Sequence, residues 1–505
     1  MTVRKTLRLL ALILVLAFAA QLCPALAAED GYAGSYTYNY DYWVDIRESP
    51  DAYRVSKVLD SAFLKLDTPM KKPQSLFVRG NDIYVCDTGN NRILQIRRDG
   101  ESFRVERVID EIKGAEVSTF DTPNDVFVDE NGNIYVCDTN HNRVVMADRE
   151  LNYIQSFLKP EDSTYDPNLS FLPNKLVVDN TGRPFVLATN INKGLIKYEA
   201  NGAFTGYIGA NPVKYTLYDY LWKNFLSTKA QREQQEAFVP TEYSNIYMDH
   251  EGFIYATNMV FSEYDLLYDN AKPIRRLNGV GNDILIKNDR YAPIGELIWM
   301  EQSERNGPSK MVDITVLDND VYIAFDRTRG RLFGYDSQGI MLWAFGTTGN
   351  SDGAFISPIS IEHMGYDLFC LDQNENSITV FTPTEYGMLI YNALEQYDRG
   401  EYYDSADTWM KVLKFNANYT LAFVGVGRAL VQQERYKEAM DYFKRAYNRV
   451  NYGKAFKYYR KVWVEENIGW LATVLAAFVV ILLIRGRIRK MKQEVEEYER
   501  TLVRR

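Results

Sequence analysis

The stretch that decides the fold is Pro73-Gln-Ser-Leu-Phe-Val-Arg-Gly-Asn-Asp-Ile-Tyr-Val-Cys-Asp87-Thr-Gly-Asn-Asn-Arg92. Fifty residues on it returns as Pro123-Asn-Asp-Val-Phe-Val-Asp-Glu-Asn-Gly-Asn-Ile-Tyr-Val-Cys-Asp138-Thr-Asn-His-Asn-Arg143. Each copy holds short runs rich in Val, Ile, Tyr and Phe, separated by Gly-Asn or Asn-Gly, which reads as strand, tight turn, strand. Weaker copies begin at Pro173, Ile246, Val312 and Pro358. A fixed period of this length means a repeat architecture. Six units of about four strands each predict radial repetition in a β-propeller, where only short edges remain.

The phrase resembles the NHL repeat over roughly Pro73 to Phe381, and the resemblance implies a six-bladed, mainly β propeller. Ring closure is also expected from the sequence. After Ile378-Thr-Val-Phe381 the pattern turns helical, so the last blade lacks an outer strand, and Tyr53-Arg-Val-Ser-Lys-Val-Leu59 is suited to supply it. The Asp and Arg of the phrase lie five residues apart in three units: Asp87 and Arg92, Asp138 and Arg143, Asp326 and Arg331. They bracket a hairpin, so a charge-assisted bond across the turn is expected, with a structural role.

The ends carry different information. Residues 1–27 read as a secretory signal: Arg4, Lys5 and Arg8, an apolar core, then Ala25-Leu-Ala27. Residues 28–52 are Tyr-rich and are expected to lie along the propeller, which occupies 53–384. Residues 385–462 are helical. Within them Tyr403-Asp-Ser-Ala406 parallels Tyr436-Lys-Glu-Ala439, thirty-three residues on, and this resembles the tetratricopeptide repeat. Small residues at Gly427 and Ala446 suit close helix packing. Residues 463–485 contain the apolar run Ile468–Ile484, long enough to cross a bilayer with flanking help. Arg485, Arg487, Arg489, Lys490 and Lys492 follow at once, so residues 486–505 are expected to be a cytoplasmic tail. Three cysteines remain after the signal, Cys86, Cys137 and Cys370. An odd number argues for buried core thiols over a disulfide framework.

Two stretches break the rhythm and read as insertions: 215–238, an amphipathic helix, and 259–299. The remaining candidates line the propeller channel. The residue after each leading proline should face one mouth: Gln74, Asn124, Asn174, Ser244, Asp313 and Ile359. The next ring is Ser75, Asp125, Lys175, Asn245, Ile314 and Ser360. Asn124, Asn174 and Asn245 are the candidates for calcium, because the pattern is similar to that of calcium lactonases. The lactonase pattern also needs a first-blade glutamate, where Lys71-Lys72 stand here, and Lys175 would put a positive charge beside the metal. His141, His250 and His363 occupy three registers and are expected not to converge on zinc. No Gly-x-Ser-x-Gly elbow, His-Glu-x-x-His or P-loop is present. A net charge of −9 gives no support for nucleic-acid binding.

The layout as a whole resembles membrane-anchored NHL-repeat proteins of Gram-positive bacteria, including Thr384-Glu-Tyr-Gly387 and Asn416-Ala-Asn-Tyr419. That resemblance implies an accessory role in carbohydrate uptake, with a transporter subunit as partner. The expected function is therefore protein or glycan recognition outside the cytoplasm, with no chemistry or cofactor of its own. The alternatives are a calcium-dependent lactonase-like hydrolase or lyase, and a surface sensor.

Overall fold

The structure is a computed structural model and describes residues 37–43, 45–210, 243–261, 272–287, 294–296 and 308–503. The signal-like residues 1–27 and the expected helix at 215–238 lie outside these. The chain forms two compact units, one of residues 1–40 and 45–388, the other of 41–44 and 389–505.

The first unit is a propeller of six antiparallel sheets. Blade one is built from Ser75–Arg79, Asp82–Asp87, Arg92–Asp99 and Ser102–Ile109; blades two and three repeat this at 123–157 and 173–208. The inner strands read as near-continuous apolar runs because each blade is covered by neighbours on both faces. One core lies between blades one and two (Cys86, Ile93, Val126, Val136, Val145), and the next between blades two and three (Phe157, Leu176, Val186, Tyr198). The cysteines Cys86, Cys137 and Cys370 are free, wholly buried thiols, the first two in these cores, and burial pushes each thiol well above its usual range.

Several turns share one device written in the sequence. Asp129-Glu-Asn-Gly132, Asp179-Asn-Thr-Gly182, Asp249-His-Glu-Gly252 and Asp336-Ser-Gln-Gly339 each accept two backbone N–H groups, from the second and fourth residues after the aspartate. The glycine takes φ near +80° in each, where a side chain would be strained.

The expected closure is observed. Tyr53–Leu59 pairs antiparallel with Ser377–Pro383, from Leu59 opposite Ile378 to Tyr53 opposite Pro383. Tyr53 packs on Trp343 and Phe345 and donates to the Tyr366 carbonyl at 3.1 Å. Part of the Tyr-rich segment adds a second seam. Tyr38–Tyr40 and Ile46–Glu48 extend blade five beyond Met341–Phe345.

Two expectations about blade four change. Among the described residues it has three strands, Asn245–Met248, Ile254–Thr257 and Ile274–Leu277. The third falls inside the stretch read as an insertion, so Pro273-Ile-Arg-Arg-Leu277 is blade, reached by a long connection from Thr257.

The second unit holds α1 (Glu385–Asp398) from residue 389, α2 (Tyr402–Phe415), α3 (Thr420–Gln432), α4 (Tyr436–Arg445) and α5 (Arg449–Val503). From α2 onward each helix packs on the next, and two glycines set how closely they approach. A Cβ on Gly425 would lie 2.4 Å from the Trp409 indole nitrogen, and one on Gly427 would lie 2.6 Å from the Phe443 ring. Both rings are buried and cannot swing away. Gly425→Ala is therefore expected to lower stability by about 1–3 kcal/mol by overpacking, despite a helix-propensity gain of about 1 kcal/mol. Thermal unfolding of the variant checks the sign. The helix α5 contains the one stretch among the described residues long and apolar enough to span a bilayer, with a mean hydropathy of 2.4 and none of it buried.

Candidate functional site

The channel is built by strand periodicity. Alternate residues of the six inner strands face it, so three levels follow from one starting ring. The strand register sets that ring. Asp125 pairs opposite Cys137, Lys175 opposite Leu187, Asp313 opposite Phe325 and Ser360 opposite Leu371, each after a bulge. Ser75 and Asn245 take the matching places in blades one and four. Asp313 thus belongs with Asp125 and not, as expected, with Asn124. Met311 stands where units one, two, three and six have proline, which shifts the count by one.

This ring stitches blades together. Asp125 accepts from the Ser75 hydroxyl at 2.5 Å and the Leu176 backbone N–H at 2.8 Å, joining blades one, two and three. Lys175 Nζ stands 3.9 Å from Asp125 and 3.5 Å from the Gln74 carbonyl. Asp313 accepts from the Ser360 hydroxyl at 2.7 Å and the Ile361 N–H at 2.8 Å, while Ser360 Oγ lies 3.3 Å from the Leu76 N–H. Blades five, six and one are joined in the same way. Asn245 turns its own Oδ1 onto the Ile246 N–H at 2.8 Å. Gln74, Asn124 and Asn174 are half-buried at the bulge preceding the ring.

The calcium candidates therefore do not form one donor set. Asn124 and Asn174 share a register, Asn245 belongs to the next, and its carbonyl oxygen is already used. The ammonium of Lys175 sits where a divalent ion would need oxygen ligands. These residues do not fit a calcium centre, and among the described residues no group of three or more His, Cys, Asp or Glu side chains is placed to hold a metal.

The Asp-Arg pairs divide. Arg92 binds Asp87 at 2.7 Å and Arg143 binds Asp138 at 2.8 Å. The other carboxylate oxygen pins the chain entering the blade, through the Lys71 N–H and the Asp121 N–H. In blade five Asp326 and Arg331 are directly opposite in register but do not pair. Asp326 accepts from Ser309 Oγ and the Lys310 and Thr328 N–H groups. Arg331 instead binds Glu296 at 2.8 Å and stacks over Tyr38, whose hydroxyl donates to the same glutamate at 2.9 Å. The N-terminal strand has redirected this arginine.

From the ring toward the turns, the channel widens into an open cavity of about 930 Å3. Its second level presents Phe77, Phe127, Tyr247 and Glu362. Its third presents Arg79, Asp129, Asp179, Asp249 and Met364, and His250 and Glu251 stand at the rim. His250 and His363 both line this space, so two of the three histidines share one cavity; His141 lies elsewhere, against Asp138 at 2.9 Å. Sequence reasoning missed Arg79, Tyr247, Glu362 and His363 as channel groups. Stepping by two from Ser75, Asn245 and Ser360 would have found the first three.

Burial shapes the titration here. Desolvation raises Asp313 to about 6, with Lys175 opposing it. Desolvation also raises Asp125, and it raises Glu362 well above the usual carboxylate range, helped by Asp313 and Asp125. His363 Nδ1 lies 2.7 Å from the Thr315 hydroxyl, and burial lowers this histidine to about 4. The two effects have opposite signs. The native state holds a proton on Asp313 between about pH 4 and 6 that the unfolded chain has lost, so that term loses stability as pH rises. The unfolded chain protonates His363 first, so that term loses stability as pH falls from about 6.5 to 4. Each is worth on the order of 3 kcal/mol and they oppose one another, with the raised Glu362 and Asp125 acting in the same sense as Asp313. On acidification from pH 6.5 to 4.5, His363→Gln is expected to gain more stability than the parent, and Asp313→Asn to gain less than the parent. Urea unfolding at the two pH values reads the slopes.

Residues 120–145 match the family description of the NHL repeat. A search among curated proteins found no match. Solved structures similar to this chain include virginiamycin B lyase from Staphylococcus aureus, at 11% identity over 65% of this chain and 99% of the lyase, with a TM-score of 0.38. A protein of unknown function from Bacteroides thetaiotaomicron is similar at 11% identity over 69% and 76% of the two chains, with a TM-score of 0.40. A protein assigned as a gluconolactonase is similar at 10% identity over 69% and 98%, with a TM-score of 0.40. At these levels the likenesses add nothing to the strand pairing described above, and they leave open whether this propeller is an enzyme.

Proposed function

We propose that this chain is a single-pass membrane protein whose propeller recognises a protein or glycan outside the cytoplasm. The observation that carries the reading is how the channel spends its charges. Asp125 holds blades one and three and Asp313 holds blade six by hydrogen bonds, and Lys175 lies against Asp125, so the ring acts as a brace and the wide mouth beyond it is left for recognition. The exposed apolar run in α5 and the basic residues after it support an anchor with its tail in the cytoplasm. The helical unit, with its tetratricopeptide-like spacing, serves as a neck or a second protein-binding surface. A transporter subunit of a carbohydrate uptake system is the partner this reading favours.

The test is site-specific photocrosslinking in native membranes, with the photoreactive group at Glu130 or Asn131 on the mouth and at Asn124 on the opposite side of the ring. A protein or glycan adduct from the mouth positions is expected. Adducts from Asn124 alone, or none from either, would overturn the reading. Recovery of the full-length protein in the membrane fraction after alkaline carbonate washing checks the anchor.

A further inference from the structure

We infer that the mouth cavity takes a ligand bearing a primary ammonium group, a slender amine of the polyamine or lysine side-chain type, seated against the Glu362 carboxylate. The inference rests on the reading of the mouth as a recognition site and names the chemistry it would accept.

Glu362 is the group that calls for a partner. It is 7% exposed and lines the cavity at its second level. One of its oxygens stands 3.5 Å from the Thr315 hydroxyl, and that hydroxyl is engaged more closely, at 2.7 Å, by His363 Nδ1. Among the described residues no Lys, Arg or His lies within ion-pair distance of it. Apart from Glu130, which is exposed to solvent, every other acid along this channel has such a partner or a set of backbone N–H donors. Asp125 and Asp313 are held in the ring. Asp129 accepts two N–H groups in its turn, Asp179 is paired with Arg183 at 2.7 Å, and Asp249 with Arg276 at 2.7 Å. A buried carboxylate without a cation is costly unless it is protonated or a cation reaches it from outside.

The surroundings select the kind of cation. At the level of Glu362 the walls are Phe77, Phe127 and Tyr247, which offer ring surface and few oxygen ligands. A divalent metal needs six or more oxygens, whereas an ammonium on an alkyl stem is satisfied by one carboxylate and aromatic surface. The chain uses this chemistry itself one level out: the Arg79 guanidinium lies 5.6 Å from the Phe77 ring centre and 5.7 Å from that of Phe127, while donating to the Val128 carbonyl. The approach is acidic. Asp129, Glu130, Asp179, Asp249 and Glu251 border the mouth, against Arg79, Arg183 and the Arg276 that pairs with Asp249 and Glu251, so acids outnumber bases and the cleft favours cations.

Proton linkage follows. Burial pushes Glu362 well above the usual carboxylate range, and Asp313 from blade five and Asp125 from blade two add to the shift; Lys175 of blade three lowers those two acids. Tyr247 of blade four and Arg79 of blade one complete the walls, and His363 beside it is neutral above about pH 4. An ammonium seated against Glu362 favours its ionised form over its protonated one. Binding is therefore accompanied by release of up to one proton and tightens as pH rises toward the titration of Glu362.

The experiment is calorimetric titration of the full-length protein in detergent with spermidine and with n-butylamine, using maltotriose and calcium chloride as comparison probes. Saturable binding of spermidine is expected, with proton release read from buffers of different ionisation enthalpy. Glu362→Gln, which keeps the shape and removes repulsion from Asp313, should weaken it at least about tenfold. The pH profile of the parent protein needs no variant and gives a second check. Amine binding that ignores Glu362→Gln and pH would overturn the inference, as would no saturable amine binding. Maltotriose or calcium binding with no amine binding would overturn the ligand class and leave the mouth as a recognition site. Loss of mouth crosslinks with amine binding intact would overturn the recognition reading instead.

Discussion

A chain lacking residues 53–59 is expected to lose the cooperative unfolding transition of the propeller. The deletion strips the outer strand from Ser377–Pro383 and turns it into an open edge. It also removes Tyr53 and Leu59, which are 4% and 0% exposed. Truncating one large buried aromatic costs about 3–5 kcal/mol, and a buried leucine about 2–5 kcal/mol. Together these approach the whole stability of an ordinary domain. The single change Tyr53→Ala isolates part of the effect. It leaves Trp343 and Phe345 facing a cavity and removes the hydroxyl donor to the Tyr366 carbonyl, so a loss of about 3–5 kcal/mol is expected. Urea denaturation followed by tryptophan fluorescence measures it, because Trp343 is wholly buried beside the lost ring. A parent-like transition in the deletion would mean that the ring does not depend on this strand.

Asp125→Ala should produce the second large effect. The carboxylate serves three groups: the Ser75 hydroxyl, the Leu176 N–H and the Lys175 ammonium. Its loss leaves a lysine that is 6% exposed with the Gln74 carbonyl at 3.5 Å and the more distant Asp313 for compensation. Removing one partner of a buried pair costs about 3–5 kcal/mol, mostly from the charge left behind. Lys175→Met in the same chain should recover much of that loss. What remains, about 1–2 kcal/mol, belongs to the two donors without an acceptor. The double-mutant cycle separates the two contributions. If the second substitution makes matters worse, Lys175 is stabilised by something other than Asp125.

Much of the ring was written plainly in the chain. The phrase at Pro73 and Pro123, the Asp-x-x-Gly turns and the strand that closes the circle all follow from local chemistry: φ-positive glycines, apolar runs and a missing partner for Ile378–Phe381. What could not be read depended on distant neighbours. Arg331 has the spacing of Arg92 and Arg143, yet its partner is Glu296, delivered by a connection with no repeat signal and fixed by Tyr38 from the other end of the sequence. Asp313 was placed one register out because Met311 replaces proline, and only strand pairing shows where the bulge falls. Glu362 carries no motif at all. Its importance comes from a position two residues after Ser360 and from the absence of a cation across the channel, and neither is a property of its own segment.

The two seams made by the N-terminal strands have a consequence for how the molecule comes into being. Tyr53 meets the Tyr366 carbonyl 313 residues later. At synthesis rates of roughly 5–20 residues per second, the early strand waits on the order of 15–60 s for its mate. During that interval Tyr38–Tyr40 and Tyr53–Leu59 are strand segments with aromatic side chains and unpaired backbone edges, and each prior blade is an open stack. The circle is thus completed in a single late event, just before the helices that lead to the apolar run are made. A nascent chain stalled before Pro383 would be an adhesive ribbon, so the hazard of this architecture lies in its birth more than in its finished form.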